Sequence, residues 1–402
     1  MSLKAINDPT MPAGRRNGVG AVDGPTVGVV ETRSFTFAER EQDYLDLESG
    51  ARLGPITVAY ETYGTLDAQG SNAVLICHAL SGTAHVAGYH DQLGKNRGWW
   101  EDAVGPGKAF DTDKYFVICS NVLGGCAGTT GPMSVDARTG QPYGLTFPVV
   151  TVADMVKVER ALLDHLGIDA LLGVAGGSIG GMQALEWVLR YPERVKAALV
   201  IASTARMSPQ AIAFNAVGRN SIISDSNWRG GHYYADGSVP AQGLSVARMI
   251  GHITYLSDEA MHAKFGRRLK RDELAYDFTS EFQVESYLDH QGTKFVERFD
   301  ANTYLYMTKA MDYFDAAEAY GEGDLVRALE RVRARLLVLS FSSDWLFPPY
   351  QSQELTDAAL RARRDVTYAN IETPCGHDAF LLEIETEARL IRAFLDATHK
   401  QS

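Results

Sequence analysis

Cysteine is scarce. The 402 residues include four, Cys77, Cys119, Cys126 and Cys375, and no two of them stand in the C-x-x-C spacing of a zinc or redox site. So few in so long a chain exclude a disulfide scaffold, and reduced thiols in a cytoplasmic setting are the default expectation. Long apolar runs are missing too: no stretch approaches the roughly 18–20 residues of a membrane span. Positive charge is in deficit, with 38 Lys and Arg against 50 Asp and Glu and a net charge of −12. That balance argues against nucleic acid as the main partner, because a phosphate backbone needs a basic footprint. There is no H-E-x-x-H and no cluster with zinc-ligand spacing, so no metal and no bound cofactor are expected. The first residues lack the apolar core of a signal peptide. Residues 1–25, rich in Gly and Pro with little to bury, read as a mobile arm. Internal repeats and low-complexity blocks are also absent.

What the chain has is an ordinary globular composition, 45% hydrophobic and 22% charged. Its length exceeds what one core usually serves, which suggests a large domain with an insertion, or two domains. Strand-like runs open the ordered part at Val27–Phe37 and Tyr44–Leu47. After a turn at Glu48–Gly50, Pro55–Tyr60 resumes the pattern, so an antiparallel start to a sheet is expected. Short apolar runs then alternate with helical periods. Ala73–Leu80, Tyr115–Val122, Leu171–Ala175 and Val195–Ile201 read as buried strands, with helices at Thr151–Leu166 and Gly181–Arg190. The rhythm stops near Ala205 and returns with the strand Arg335–Phe341, a helix at Gln353–Arg364, the strand Val366–Ile371 and a last helix at Glu385–Thr398. The expectation is an α/β fold: a mostly parallel sheet with an antiparallel start, built from residues 26–204 and 326–402. A helical block over 205–325 interrupts it and is placed to act as a lid over the strand ends.

Gly176-Gly177-Ser178-Ile179-Gly180 matches G-x-S-x-G. The pentapeptide alone is weak, but it directly follows a buried strand and directly precedes a helix. That is the setting of a nucleophile elbow, in which small neighbours let a tight turn push the Ser hydroxyl out. A phosphate-binding loop fits less well, because the G-K-[ST] ending is missing. A plain Gly-rich packing turn is the structural alternative.

A serine nucleophile needs a base, and the base needs an orienting acid. The chain order on α/β-hydrolase folds is Ser, then acid, then His. Asp344 ends one late strand and His377 lies in the loop after the last one, so Ser178, Asp344 and His377 form the expected triad. His165, His252, His262 and His290 fall in helical segments, and His399 lies near the end of the last helix. Cys375 has no elbow and reads as packing. Backbone N–H groups of Ile179, after the nucleophile, and of Leu80, after an early strand, are the candidate oxyanion hole.

The chain resembles the homoserine O-acetyltransferases, acyl-CoA transferases of methionine biosynthesis within the α/β-hydrolase fold. The stretches that carry the likeness are Cys77–Gly82 (CHALSG), Asn121–Pro132 (NVLGGCAGTTGP), Gly176–Trp187 (GGSIGGMQALEW), Ala247–Asp258 (ARMIGHITYLSD), Phe282–Leu288, Arg298–Tyr306 (RFDANTYLY), Ser342–Trp345 and Gly376–Phe380. The resemblance implies a homodimer joined through the helical insertion, which also shapes a deep active-site tunnel. It places the triad on the same three residues and implies substrate contacts at Arg248 and Asp378. Arg can fork onto a carboxylate, and Asp378 can pair an ammonium, as an amino-acid substrate requires. Tyr255, seven residues after Arg248 and on the same helix face, is a third contact. The implied substrates are L-homoserine and acetyl-CoA, the latter as co-substrate.

Leu346 stands where succinyl-transferring relatives carry an Arg, two residues past the acid. An apolar side chain there gives a second carboxylate nothing to pair with, which favours acetyl over succinyl. Rival readings are a succinyl donor, serine or another alcohol as acceptor, a plain esterase, and a non-catalytic binding protein on the same fold. Leu346→Arg is expected to raise the use of succinyl-CoA relative to acetyl-CoA. An unchanged ratio in competing thiol-release assays would count against the charge argument.

Overall fold

The computed structural model describes residues 25–91, 96–235 and 237–401. The arm expected over 1–25 lies, apart from Pro25, outside the described residues. Eight strands form the central sheet: β1 (Arg33–Phe37), β2 (Ile56–Tyr63), β3 (Ala73–Cys77), β4 (Phe116–Ser120), β5 (Gly173–Gly177), β6 (Ala197–Ile201), β7 (Arg335–Phe341) and β8 (Val366–Ile371). Their spatial order is β1-β2-β4-β3-β5-β6-β7-β8. β2 runs antiparallel to both its neighbours; every pairing from β4 through β8 is parallel. The antiparallel start and parallel remainder are those expected of an α/β-hydrolase fold.

The buried strands explain themselves by composition. β3 (AVLIC) and β6 (AALVI) are buried along their whole length, as strands covered on both faces must be. Along β3, Ala73, Leu75 and Cys77 enter one core while Val74 and Ile76 enter the other. The first core is closed by α1 (Val152–His165) and α2 (Ile179–Arg190), the second by the C-terminal helix. α1 starts on a capping box: the Asp154 N–H donates to Thr151 Oγ1, and the Thr151 N–H donates to the Asp154 carboxylate.

The chain leaves the sheet after β6 and returns at β7. Between them lie α3 (Pro209–Ile223), α4 (Ala241–Tyr255), α5 (Asp258–Phe265), α6 (Gln283–Val296), α7 (Ala301–Asp312) and the short α8 (Ala316–Gly321) and α9 (Leu325–Leu329). Among the described residues this segment contributes no strand. It has a small core of its own, including Ile222, Leu244, Ala247, Phe295 and Tyr304. Gly243 lets α4 lie directly on α3, since a Cβ there would stand 2.4 Å from the Ser221 carbonyl oxygen. After β7 come α10 (Pro349–Arg361), and after β8 α11 (Ala379–Leu382) and α12 (Ile384–Lys400). No helix of the described residues is long and apolar enough to cross a membrane.

Three local expectations shift. Of Val27–Phe37, only Arg33–Phe37 joins the sheet, while Val29 makes an isolated bridge to Tyr89. The run at Tyr44–Leu47 does not join it either: Leu45–Asp46 pairs with Arg52–Leu53 in a separate ladder. α10 begins at Pro349 rather than Gln353, because Pro in a first helical turn forfeits no hydrogen bond.

Candidate active site

The carboxyl ends of β3, β5, β7 and β8 lie along one edge of the sheet, and each carries part of the expected site. Ser178 follows β5 and caps α2 with φ +60° and ψ −125°. Such a backbone costs a non-glycine residue about 1–3 kcal/mol and persists only when its surroundings hold it. Here the Ser178 N–H donates to the Ile201 carbonyl (3.0 Å). The Ser178 carbonyl accepts from the Gly181 N–H (2.9 Å) and from Ser203 Oγ (2.7 Å). The turn is too tight for side chains beside it. A Cβ on Gly176 would stand 2.3 Å from the Gly180 carbonyl carbon, and one on Gly180 2.1 Å from the Cys77 carbonyl oxygen.

That second approach sets the first turn of α2 against the end of β3, where the Leu80 loop begins. The loop is shaped by His78, whose Nδ1–H donates to the Ala79 carbonyl (2.7 Å) while Nε2 accepts the Val122 N–H (3.2 Å). Burial holds this ring neutral, with its pKa pulled down to about 4. Among the described residues the backbone N–H groups of Leu80 and Ile179 have no hydrogen-bond partner. A helix N-terminus adds positive potential at the same point.

Asp344 and His377 meet. His377 Nδ1 donates to Asp344 Oδ2 at 2.8 Å, and Asp344 Oδ1 accepts the N–H groups of Leu346 (3.0 Å) and Phe347 (2.9 Å). Both side chains are buried, and so is Ser178. Phe347 and Phe380 pack on the imidazole with ring centres 5.2 and 5.6 Å away. Phe380 also covers Gly177, the residue before the serine, so the His377 turn is seated on the elbow. No hydrogen bond joins Ser178 Oγ to His377 among the described residues; such bonds often tighten only when substrate is bound. Burial works against a charged His377, but the Asp344 carboxylate, with help from Asp378, raises its pKa above the ordinary 6.5. The pair therefore gives its full stabilisation below the ordinary imidazole value and loses it as pH rises through the raised one. Neutral His377, the form able to act as a base, dominates only above that raised value.

Arg248, on α4, approaches the Leu80 loop: Nη1 lies 3.5 Å from Ser81 Oγ. Its guanidinium sits over the rings of Phe295 (4.7 Å) and Tyr255 (5.5 Å). The Tyr255 ring lies 5.9 Å from that of His377. Asp378 is partly buried beside His377. Burial raises its pKa against the opposing pull of His377, Arg248 and Lys264. Among the described residues neither Arg248 nor Asp378 has an ion-pair partner, and they do not pair with each other. The Leu346 side chain packs on the core next to the acid.

The insertion is tied to the loops that carry Asp344 and His377. Trp345 Nε1 donates to the Leu256 carbonyl (2.9 Å), and Ser257 Oγ donates to the Pro374 carbonyl. A cleft of about 410 Å³ runs between Ile253, Leu256, Met261, Ser343 and Trp345, beside the Asp344 loop. A larger cavity of about 590 Å³, lined by Arg206, Tyr350, Glu354 and Arg361 among others, contains none of the site residues.

Sequence reasoning passed over Ser81 and Arg298, although both lie in stretches already singled out. Arg298 donates to the Ser81 carbonyl (3.3 Å) and stands over the Phe295 ring. It also passed over Glu61, His85 and His90, whose ligand-type atoms lie within 4.8 Å of one another, the one such group among the described residues. Their separation along the chain gave no motif.

The profile of the α/β-hydrolase fold family matches residues 72–384. A homoserine O-acetyltransferase of Solidesulfovibrio magneticus is 54% identical over 93% of this chain and 94% of its own. One of Deferribacter desulfuricans is 52% identical over 94% and 98%. Among solved structures, a homoserine O-acetyltransferase from Bacillus anthracis superposes with a TM-score of 0.85 at 29% identity, covering 91% of this chain and 98% of that one. Esterase E22 does so with 0.83 at 30%, covering 91% and 100%.

Asp344→Asn keeps the shape of the acid and removes its charge. The His377 ring titration, followed by NMR, is expected to move down from above 6.5 in the native protein. A titration unmoved by the substitution would mean that Asp344 does not set the state of this ring.

Proposed function

This chain belongs to the homoserine O-acetyltransferases within the α/β-hydrolase fold, and we propose that it carries an acetyl group from acetyl-CoA to the hydroxyl of L-homoserine through an acyl-enzyme on Ser178. His377 takes the Ser178 proton as Oγ attacks the thioester carbonyl. The Leu80 and Ile179 N–H groups receive the developing oxyanion. The carbon–sulfur bond breaks, and the proton passes from His377 to the departing CoA thiolate. In the second half, His377 takes the homoserine hydroxyl proton as that oxygen attacks the acyl carbon. The bond to Ser178 breaks and the proton returns to Oγ. Asp344 holds the ring in place and supports its charge in both halves.

The triad and fold would serve an esterase equally well. The observation that carries the transferase reading is the pair Arg248 and Asp378: one cation and one carboxylate near the catalytic imidazole, neither in an ion pair among the described residues. A half-buried charge without an ion-pair partner is still partly desolvated, and a zwitterionic amino acid supplies both partners at once. Water and simple alcohols supply neither. Tyr255, its ring 5.5 Å from the Arg248 guanidinium and 5.9 Å from the His377 ring, closes the side of this clamp. The same site places homoserine ahead of water at the acyl group by orientation. The apolar Leu346 beside the acid supports acetyl over succinyl as the group transferred. The location read from the chain's reduced thiols is the cytoplasm.

A homodimer through the helical insertion is part of the reading. Val217 and Ile223 on α3 and Val246 and Ile253 on α4 are exposed apolar side chains on two helices that pack together. Sedimentation should give twice the monomer mass; a monomer at micromolar concentration would reject this part.

Ser178→Ala is expected to remove essentially all transfer. Arg248→Ala should raise KM for homoserine about 10- to 100-fold, the scale of hydrogen bonds to a charged group, while CoA release in the first turnover stays near the native rate. Equal loss in both half-reactions would remove the clamp role, and thioester cleavage indifferent to homoserine in the native enzyme would turn the reading to a hydrolase.

A further inference from the structure

Behind the Leu80 loop lies a polar knot that the acyl-transfer steps do not use. Glu61, on β2, is fully buried, and its carboxylate accepts four side-chain hydrogen bonds. Oε1 takes those of Thr32 Oγ1 (2.7 Å) and His90 Nε2 (2.9 Å), and Oε2 those of Tyr63 OH (2.7 Å) and His85 Nδ1 (2.9 Å). The other ring nitrogen of His85, Nε2, lies 2.6 Å from the Asn96 carbonyl oxygen. An ionised carboxylate and a carbonyl both accept and never donate, so both nitrogens of His85 must donate and the ring is an imidazolium. The electrostatics agree. Burial opposes ionisation of Glu61, yet its four donors hold the carboxyl down at about 2. Burial likewise opposes a charged His85, and Glu61, the Asn96 carbonyl and Glu101 overcome it and raise its pKa.

A metal ion is the competing occupant, and the geometry disfavours it. Each histidine addresses its own carboxylate oxygen. The two rings lie with centres 3.7 Å apart and planes tilted by 34°. Each nitrogen is at ordinary hydrogen-bond length from its oxygen, 2.9 Å in both cases, too short for a zinc ion about 2 Å from each atom to lie on the line between them.

The knot holds the chain just after Leu80. The Tyr63 oxygen accepts the Val86 N–H (3.0 Å) and lies 3.0 Å from the Ala84 carbonyl oxygen. The Ala84 N–H donates to Asn121 Oδ1 (2.7 Å), and Trp99 Nε1 donates to the Thr83 carbonyl (2.8 Å). His78 anchors the other end of the loop. We propose that His85, as an imidazolium bound to Glu61, is a positioning residue for the Leu80 oxyanion donor, so that acylation of Ser178 slows when His85 loses its proton. The inference rests on the reading of Leu80 given above.

The groups facing His85 are Glu61 and Tyr63 from β2, the stacked His90, and Glu101, itself paired with Lys108 (2.9 Å); Cys119 of β4 stands behind Tyr63. Because the folded-state pKa of His85 is raised, the knot is complete below the ordinary imidazole value and fails as pH rises through the raised one. His377 must be neutral to act and His85 charged, so deprotonation of His377 promotes acylation while deprotonation of His85 opposes it.

Two measurements test this. Ring-nitrogen NMR of the native enzyme, with the His85 signals identified by their loss in His85→Gln, should show both nitrogens protonated at about pH 7.5, where a free imidazole is mostly neutral. A neutral ring overturns the proposal, and this reading depends on no activity and no second variant. The acylation rate against pH should show the alkaline limb of Glu61→Gln displaced to lower pH, with KM for acetyl-CoA within about twofold of native. Superimposable limbs, or a change confined to KM, would overturn it. So would stoichiometric zinc binding by the native enzyme that His90→Ala abolishes. If the native enzyme is not acylated by acetyl-CoA at all, the assigned function fails, while the ring measurement still decides the state of His85.

Discussion

The site depends on a close approach between two backbones. The first turn of α2 lies so near the Cys77 carbonyl that position 180 has no room for a side chain. This contact fixes three things together. It helps hold Ser178 at positive φ, leaves the Ile179 N–H free at the start of α2, and brings the Leu80 loop alongside. Packed backbone is difficult to deform, so donors placed this way need little reorganisation when negative charge develops between them. The Asp344–His377 pair is then seated from the opposite side, with Phe380 touching both the elbow and the imidazole.

What the fold leaves open is which oxygen takes the acyl group. A serine triad on this sheet serves hydrolysis and transfer alike, and the decision falls to the insertion. α4 carries Arg248 and Tyr255 to the triad, and ties through Trp345 and Ser257 bind that helix to the loops of both Asp344 and His377. The proposed clamp and the proposed catalytic groups are thus built on one framework, and an acceptor held by Arg248 and Asp378 would be held relative to His377. The acidic net charge of the chain places no obstacle here, because Arg248 and Arg298 concentrate positive charge beside the Leu80 loop.

Much of this was legible in the sequence, and the reasons are local. Gly176 and Gly180 announced the elbow because only glycine fits those contacts. The order of Ser178, Asp344 and His377 was readable because each follows a run that reads as a strand, apolar before Ser178 and Asp344 and more mixed before His377. The apolar runs themselves gave the parallel sheet. Less legible were features made by distant partners. The Leu45–Asp46 run has strand composition, but its only partner is the Arg52–Leu53 segment nearby, so it forms a separate ladder. Arg298 has no role until α6 and the Ser81 carbonyl are brought together. The charged state proposed for His85 follows from a carboxylate 24 positions before it and a carbonyl 11 positions after it, and no spacing rule reports such a pair.

The central claim is that an acyl group on Ser178 is taken by a zwitterionic amino acid in preference to water. The direct measurement is to load the enzyme with acetyl-CoA alone, confirm by intact mass that one acetyl group sits on Ser178, remove the CoA, and chase with homoserine or with buffer. The account predicts O-acetylhomoserine as the dominant product of the homoserine chase and a slow release of acetate in buffer. Acetate as the main product in both chases, at equal rates, would contradict it.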